Sequence, residues 1–304
     1  MAKIALIGCG RWGRNILRDL HALGCEVAVA DPDADARRSA ADAGVCDLAG
    51  DLDDLAACDG IVIAATSSAH AAVIHRALAT DVPVFVEKPM VCDAASARDL
   101  AARGRGRLFV MDKWRYHPGI EELRRVRETG ELGRPLGMHL RMAGWGLPHR
   151  DVDVTWILLP HCLSILLEVF GRVPQARHSF AEQLDGQVVT LTGVLGDVPW
   201  ATVEVSARSP VKSRQFRLHC EDGVAWLDDG WSDHLNVAHG KEGIGADARN
   251  VAQRPLSTEL PLMRELRTFV EHLAGGPPPR SSAEEGAVVV ERILQLRALA
   301  GIPQ

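Results

Sequence analysis

The chain lacks an excess of basic charge, a paired-cysteine motif and an apolar run long enough to span a bilayer, and each absence removes a class of function. Its 34 Lys and Arg against 40 Asp and Glu leave a net charge of −6, the wrong sign for a surface that grips a phosphate backbone, so no nucleic acid partner is expected. The seven cysteines (Cys9, Cys25, Cys46, Cys58, Cys92, Cys162, Cys220) are odd in number and scattered, with no CxxC pair. That excludes a disulfide framework and a zinc ribbon and predicts reduced thiols in the cytoplasm. The longest strongly apolar stretch, Val154 to Leu167, contains Pro160 and His161 and falls short of the ~18 to 20 residues of a spanning helix. With a first strand expected from Lys3, no signal peptide fits ahead of it, and no membrane association is expected.

At 304 residues and 47% hydrophobic content the chain is large enough for two domains with a core in each. Short apolar runs alternate with Ala-rich charged stretches through the first hundred residues: Lys3–Ile7, Glu26–Ala30, Ile61–Ala64, Val82–Val86 and Leu108–Val110 are the strand candidates. Strands without polar alternation, interleaved with helices, describe a parallel sheet covered on both faces. After residue 113 the pattern changes. Helices are expected at Ile120–Glu128 and Val154–Phe170, the second kinked at Pro160, and a β-prone stretch lies between them at Pro135–Met142. Gln187–Leu195, Pro199–Ala207, Gln215–Cys220 and Val224–Leu227 follow with period two, separated by Gly- and Pro-containing turns, as in an antiparallel sheet packed on one face. Trp231–Pro255 is polar and Gly-rich and reads as an irregular loop. A helix at Leu262–Leu273 and a last one opened by the Ser282/Glu285 capping box complete the chain. The expected architecture is α/β: a Rossmann doubly wound parallel sheet over 1–113, then an α+β domain over 114–304 with an open, mostly antiparallel sheet.

The first strand runs straight into Gly8-Cys9-Gly10-Arg11-Trp12-Gly13 and then a helix, the setting in which a glycine fingerprint binds a dinucleotide pyrophosphate on exposed helix N–H groups. Asp31 ends the second strand where a carboxylate accepts from a ribose diol and repels a 2′-phosphate, so NAD(H) is favoured over NADP(H). Arg37 and Arg38 follow it on the next helix, where a cation partly compensates for Asp31 or simply faces solvent. An S-adenosylmethionine site uses a similar turn and acid. The lone tyrosine, Tyr116, has Ile120 four residues on, which removes the Tyr-x-x-x-Lys pair of short-chain dehydrogenases.

Glu87-Lys88-Pro89 at the end of the fifth strand, Ile63-Ala64-Ala65-Thr66 followed by His70, and Trp114-Arg115-Tyr116-His117-Pro118 together resemble the Gfo/Idh/MocA oxidoreductase family. The resemblance implies hydride transfer between nicotinamide and a hydroxyl or keto carbon of a sugar, sugar acid or nucleotide-linked sugar. It implies that Lys88 acts on the substrate oxygen, and that Thr66, His70 and Glu87 belong to the cofactor site with Gly8, Gly10, Arg11, Trp12, Gly13 and Asp31. His161 matches the family's catalytic histidine, but Ile157 replaces the aspartate four residues before it and Ser164 replaces a second acid. Asp151 and Asp153 are the nearby substitutes. Arg115, His149 and Arg150 are candidate substrate contacts, and no metal is expected, because His161 and Cys162 leave a helix on different sides. A homodimer or homotetramer is expected through the strand face bearing Trp200, Thr202, Glu204 and Ser206. The rival readings are a non-catalytic dinucleotide-binding protein, suggested by Ile157, and a methyltransferase, disfavoured by Lys88.

Overall fold

The computed structural model describes residues 1–146, 151–240 and 251–303. In chain order the first elements are β1 (Lys3–Ile7), α1 (Gly13–Ala22), β2 (Glu26–Ala30), α2 (Ala34–Asp42), β3 (Leu48–Ala49), β4 (Gly60–Ile63), α3 (His70–Ala77), β5 (Val84–Glu87), α4 (Ala94–Arg103) and β6 (Leu108–Met111). Their strands form one parallel sheet in the order β3-β2-β1-β4-β5-β6. Ile4, Leu6, Val29, Val62 and Phe85 are fully buried, as required of strands covered on both faces, which need continuous apolar runs.

There follow α5 (Pro118–Thr129), β7 (Pro135–Trp145), α6 (Val154–Phe170), β8 (Ala176–Leu184), β9 (Gln187–Leu195), β10 (Trp200–Ser206), β11 (Arg208–Cys220), β12 (Gly223–Leu227), β13 (His234–His239), β14 (Val251–Pro255), α7 (Pro261–Leu273) and α8 (Ala283–Leu299). The second sheet is open, ordered β14-β13-β12-β11-β7-β10-β9-β8, and antiparallel throughout except for β7 beside β10. On β10, Ala201, Val203 and Val205 are fully buried, and α6 packs against β9 and β10. Pro160 sits inside α6, which remains one helix across it.

Three expectations change. The chain divides into one unit of residues 1–113 with 260–290 and another of 114–259 with 291–304, so 114–304 is not one continuous body. The reason is apolar: α7 places Leu262, Leu266 and Phe269 in the same core as Ile4, Val62 and Phe85, with the Phe85 and Phe269 rings 4.9 Å apart. The loop expected over Trp231–Pro255 contains β13 and β14, while 241–250 lie outside the described residues. Its polarity hid a buried alternation in which Leu235 and Val237 are fully buried and Asn236 donates to Asp228 at 3.1 Å. The strand β8 was not anticipated, because its residues are largely exposed. The capping box forms as expected: the Glu285 N–H donates to Ser282 Oγ at 3.3 Å and the Ser282 N–H to Glu285 Oε2 at 3.1 Å. Among the described residues no helix is long and apolar enough to cross a membrane.

Candidate functional site

In the first unit, the turn from β1 into α1 is shaped by what two glycines leave out. Gly8 has φ +91° and a Cβ there would lie 2.7 Å from Ala64 O, while a Cβ at Gly13 would lie 2.2 Å from Gly8 O. A Cβ on Gly10 would meet nothing within 4 Å, so this residue borders open space instead of filling a contact. The N-terminus of α1 has no side-chain cap and no acid in its first turn, unlike α2 and α4, which Asp33 and Asp93 cap. The Arg14 and Asn15 N–H groups donate to Gly10 O and Trp12 O at 3.1 and 2.9 Å, and a helix start without a capping side chain or acid suits an anionic ligand. Beside it lies a cavity of ≈ 350 Å³ lined by Gly8, Gly10, Asp31, Ala65, Thr66 and Arg76 among others. Glycine clearance, an uncapped helix start and this cavity fit a dinucleotide.

Asp31 is 7% exposed. Its carboxylate accepts from the Cys9 N–H at 2.7 Å and from the Asp33 N–H at 2.8 Å, which ties the glycine loop to the end of β2. Arg37 donates to the carbonyls of Asp31 and Pro32 at 2.6 and 3.0 Å, and Arg38 pairs with Asp35 at 3.2 Å. Thr66 is exposed on the cavity wall, and so is Arg11 on the glycine loop. Arg76, which pairs with Asp51 and Asp53, also reaches this cavity. Sequence reading missed it, since no local pattern links α3 to the turn after β3.

Trp12, Glu87 and Lys88 form one group. The Trp12 indole N–H donates to Glu87 Oε1, and the Lys88 backbone N–H donates to Glu87 Oε2 at 3.1 Å. The Lys113 ammonium stands 4.3 Å above the Trp12 ring, a cation–π contact. Lys88 is half-buried at the carboxyl end of β5, where ligands of open α/β sheets bind. His70, expected beside a ribose, is 1% exposed. Its Nδ1 lies 2.7 Å from Pro89 O and its Nε2 3.1 Å from Ala65 O, so both ring nitrogens face backbone carbonyls instead of a ribose hydroxyl.

In the second unit, Arg115 proves to be scaffold. It is 7% exposed and pairs with Glu168 of α6 at 3.0 Å, while Arg124 holds the other Glu168 oxygen at 2.9 Å. A buried ion pair of this kind is not a free substrate contact. Glu168 alone in an apolar helix was the signal that a cation must come to it. His149 and Arg150 lie outside the described residues. Of the two acids near His161, Asp153 caps α6 by accepting from the Thr155 N–H at 3.0 Å and pairs with Arg297 at 2.6 Å, and Asp151 is exposed. Ile157 is 5% exposed. His161 is half-buried, with its ring edge-on to Trp114 at 6.4 Å. Burial pushes the neighbouring Cys162 thiol up to about 12, which makes it inert as a nucleophile or ligand. Among the described residues no His, Cys, Asp and Glu cluster could hold a metal.

Residues 2–110 match the sequence model of the family described as oxidoreductases with an NAD-binding Rossmann fold, Gfo/Idh/MocA. This match spans β1 through most of β6. Inositol 2-dehydrogenase 4 of Saccharopolyspora erythraea is 26% identical over 286 residues, which is 85% of this chain and 83% of that protein. Among solved structures, UDP-N-acetylglucosamine 3-dehydrogenase from Acidithiobacillus ferrooxidans has TM-score 0.85 at 22% identity, covering 100% of this chain and 99% of that one. An oxidoreductase from Agrobacterium radiobacter in complex with NAD+, L-tartaric acid and magnesium has TM-score 0.86 at 18% identity, covering 99% and 96%. At these identities the likeness establishes the fold.

One acid near this group was invisible to motif reading. Glu265 of α7 is fully buried, and its carboxyl oxygens find no hydrogen-bond partner at ordinary geometry among the described residues, the Asp112 backbone N–H acting on it only weakly. Burial, then the charges of Glu87 and Asp112, hold it well above the usual carboxyl range, with Lys113 opposing. A raised folded-state pKa means that stability is lost as pH climbs from the unfolded carboxyl value toward the folded one. Glu265→Gln is therefore expected to raise Tm at pH 8 and to give no gain near pH 4. An equal change in Tm at both pH values would refute the assignment.

Proposed function

We propose that the chain is an NAD(H)-dependent oxidoreductase that moves a hydride between nicotinamide and a hydroxyl or keto carbon of a cyclic polyol, sugar, sugar acid or nucleotide-linked sugar. The observation that carries this reading is the pairing, in one unit, of a glycine cradle cleared for a pyrophosphate with a half-buried lysine at the carboxyl end of β5. Two of the proteins it resembles are named for inositol and for a nucleotide-linked sugar, which supports a polar small-molecule substrate. Free cysteines throughout suit a cytoplasmic setting.

The bound nicotinamide supplies or accepts the hydride. Lys88 stabilises negative charge developing on the substrate oxygen, and His161 exchanges its proton. With Ile157 in place of the family's aspartate, no carboxylate from that position orients the ring. The same replacement favours the second reading, a dinucleotide-binding protein without chemistry. A screen of inositols, sugars and nucleotide sugars, followed by nicotinamide absorbance in both directions, separates the two. Lys88→Ala is expected to cut turnover by about 10² or more with little change in cofactor affinity, and His161→Ala by about 10 to 10³. NADH binding without turnover of any of these compounds supports the second reading.

The cofactor preference follows from Asp31. Its carboxylate repels a 2′-phosphate, and Arg37 and Arg38 are engaged with carbonyls and with Asp35 instead of facing a phosphate site. NADH should bind more tightly than NADPH, and Asp31→Ser should narrow the gap; a fluorescence titration in which the unmodified protein prefers NADPH would reverse the assignment.

Self-association is proposed through the outward face of the second sheet. There Trp200 lies over Gly137, the His139 ring is 4.9 Å from Trp200, and Arg141 pairs with Glu204 at 2.9 Å. Ser206, 6% exposed, contributes little to this face. A homodimer or homotetramer mass by light scattering is expected at micromolar concentration, and a monomer mass would rule the surface out.

A further inference from the structure

His70 is a buried polar side chain of the first unit that the proposed chemistry does not use. It opens α3, is 1% exposed, and has a carbonyl oxygen at each ring nitrogen: Pro89 O at 2.7 Å from Nδ1 and Ala65 O at 3.1 Å from Nε2. The two carbonyls belong to different segments. Pro89 follows Lys88 in the turn after β5; Ala65 precedes Thr66 in the turn after β4 and lines the nucleotide cavity. The strands themselves are paired neighbours, Ile63 opposite Val86, so the ladder stops just short of these turns. Beyond it the imidazole is a cross-link between them.

We propose that His70 is a positioning residue: by donating from Nδ1 to Pro89 O and from Nε2 to Ala65 O it fixes the turn that carries Lys88 against the Thr66 wall of the nucleotide cavity. The proposal rests on the reading of Lys88 as the group beside the substrate oxygen. A carbonyl only accepts, so satisfying both requires two N–H donors, and a histidine has two only as imidazolium. Burial favours the neutral ring and lowers its affinity for the proton. The two carbonyls and the Glu87 charge work the other way, and Lys88 opposes a second cation. When the ring is neutral, one donor remains; the shorter contact assigns it to Nδ1, so the tether to Pro89 and Lys88 persists while the one to Ala65 is released. Below its lowered pKa the ring holds both turns, and as pH rises through that value it holds only the Lys88 turn.

The test uses the full chain with ring-¹⁵N-labelled histidine and, in parallel, the best substrate from the screen above. His70 is expected to carry a proton on Nδ1 alone at pH 8, and on Nε2 as well only once the pH falls below its lowered pKa. His70→Phe keeps the volume and removes both donors; it should lower kcat about tenfold or more with KM changed less than threefold, since misplacing a reacting group by about 1 Å can cost a factor of about 10². His70→Gln, whose amide supplies donors, should recover part of that loss and guards against a folding defect in the Phe variant, checked by circular dichroism. Two results overturn the proposal: a bare Nδ1 facing Pro89 at pH 8, or a folded His70→Phe with kcat within twofold of the unmodified chain. If no compound turns over, the oxidoreductase reading fails by itself, and the ring protons still decide the cross-link.

Discussion

The candidate site depends on a steric constraint before any chemistry: the backbone of the β1–α1 turn must pass against the ends of its neighbours with no side chain between. A Cβ on Gly8 would collide with Ala64 O, and one on Gly13 with Gly8 O. Because the turn closes this tightly, the Cys9 N–H comes within 2.7 Å of Asp31 and fixes the acid at the end of β2. The loop, the acid and the β4 turn are thereby set by one close approach, and the cavity is what remains between them. A side chain at either glycine would disturb all three, whereas Gly10 faces open space and its requirement comes from the ligand instead of the fold.

Charge is managed around that frame by sharing. Glu87 uses one oxygen for the Trp12 indole and the other for the Lys88 backbone N–H. The glycine loop and the lysine turn are therefore bonded to the same carboxylate. Lys113 lies over the Trp12 ring and acts on Glu265 against the negative field of Glu87 and Asp112. Burying Glu265 as a carboxylate without a hydrogen-bonded cation is costly, and protonation is the less expensive state. α7 thus brings a buried acid to the Glu-Lys-Pro segment from outside the classical extent of the dinucleotide-binding half.

The parts that sequence reading captured are those encoded in contiguous residues. A strand, a glycine turn, a helix and an acid at the next strand end occupy Lys3 to Asp31, and Glu87-Lys88-Pro89 is a single run. What it missed is paired over long separations. Arg115 and Glu168 are 53 residues apart, and nothing near Arg115 distinguishes a buried ion-paired arginine from one on the surface. The membership of α7 in the first core rests on Phe269 meeting Phe85, a contact that an amphipathic pattern permits but does not address. In β13 the buried residue Asn236 breaks the apolar alternation, because its side chain is satisfied by Asp228 from another segment.

The helix α6 shows how scaffold can imitate a site. Its sequence presents an aspartate, a proline, a histidine, a cysteine and a glutamate within one apolar stretch, and each invites a catalytic or metal reading. Accounting for each polar atom removes most of them. Asp153 is spent on the helix N-terminus and Arg297, Glu168 on Arg115 and Arg124, and Cys162 is fully buried. Breaking either ion pair would leave a charge in a poorly hydrated place, at a cost of about 3–5 kcal/mol for a fully buried pair, so these residues are constrained by folding regardless of chemistry. Within α6, Leu158, His161 and Phe170 alone are not buried, and of these His161 alone can exchange a proton. The helix therefore isolates one titratable group by committing the others to structure, and Ile157, one turn before it and 5% exposed, brings no carboxylate to that group.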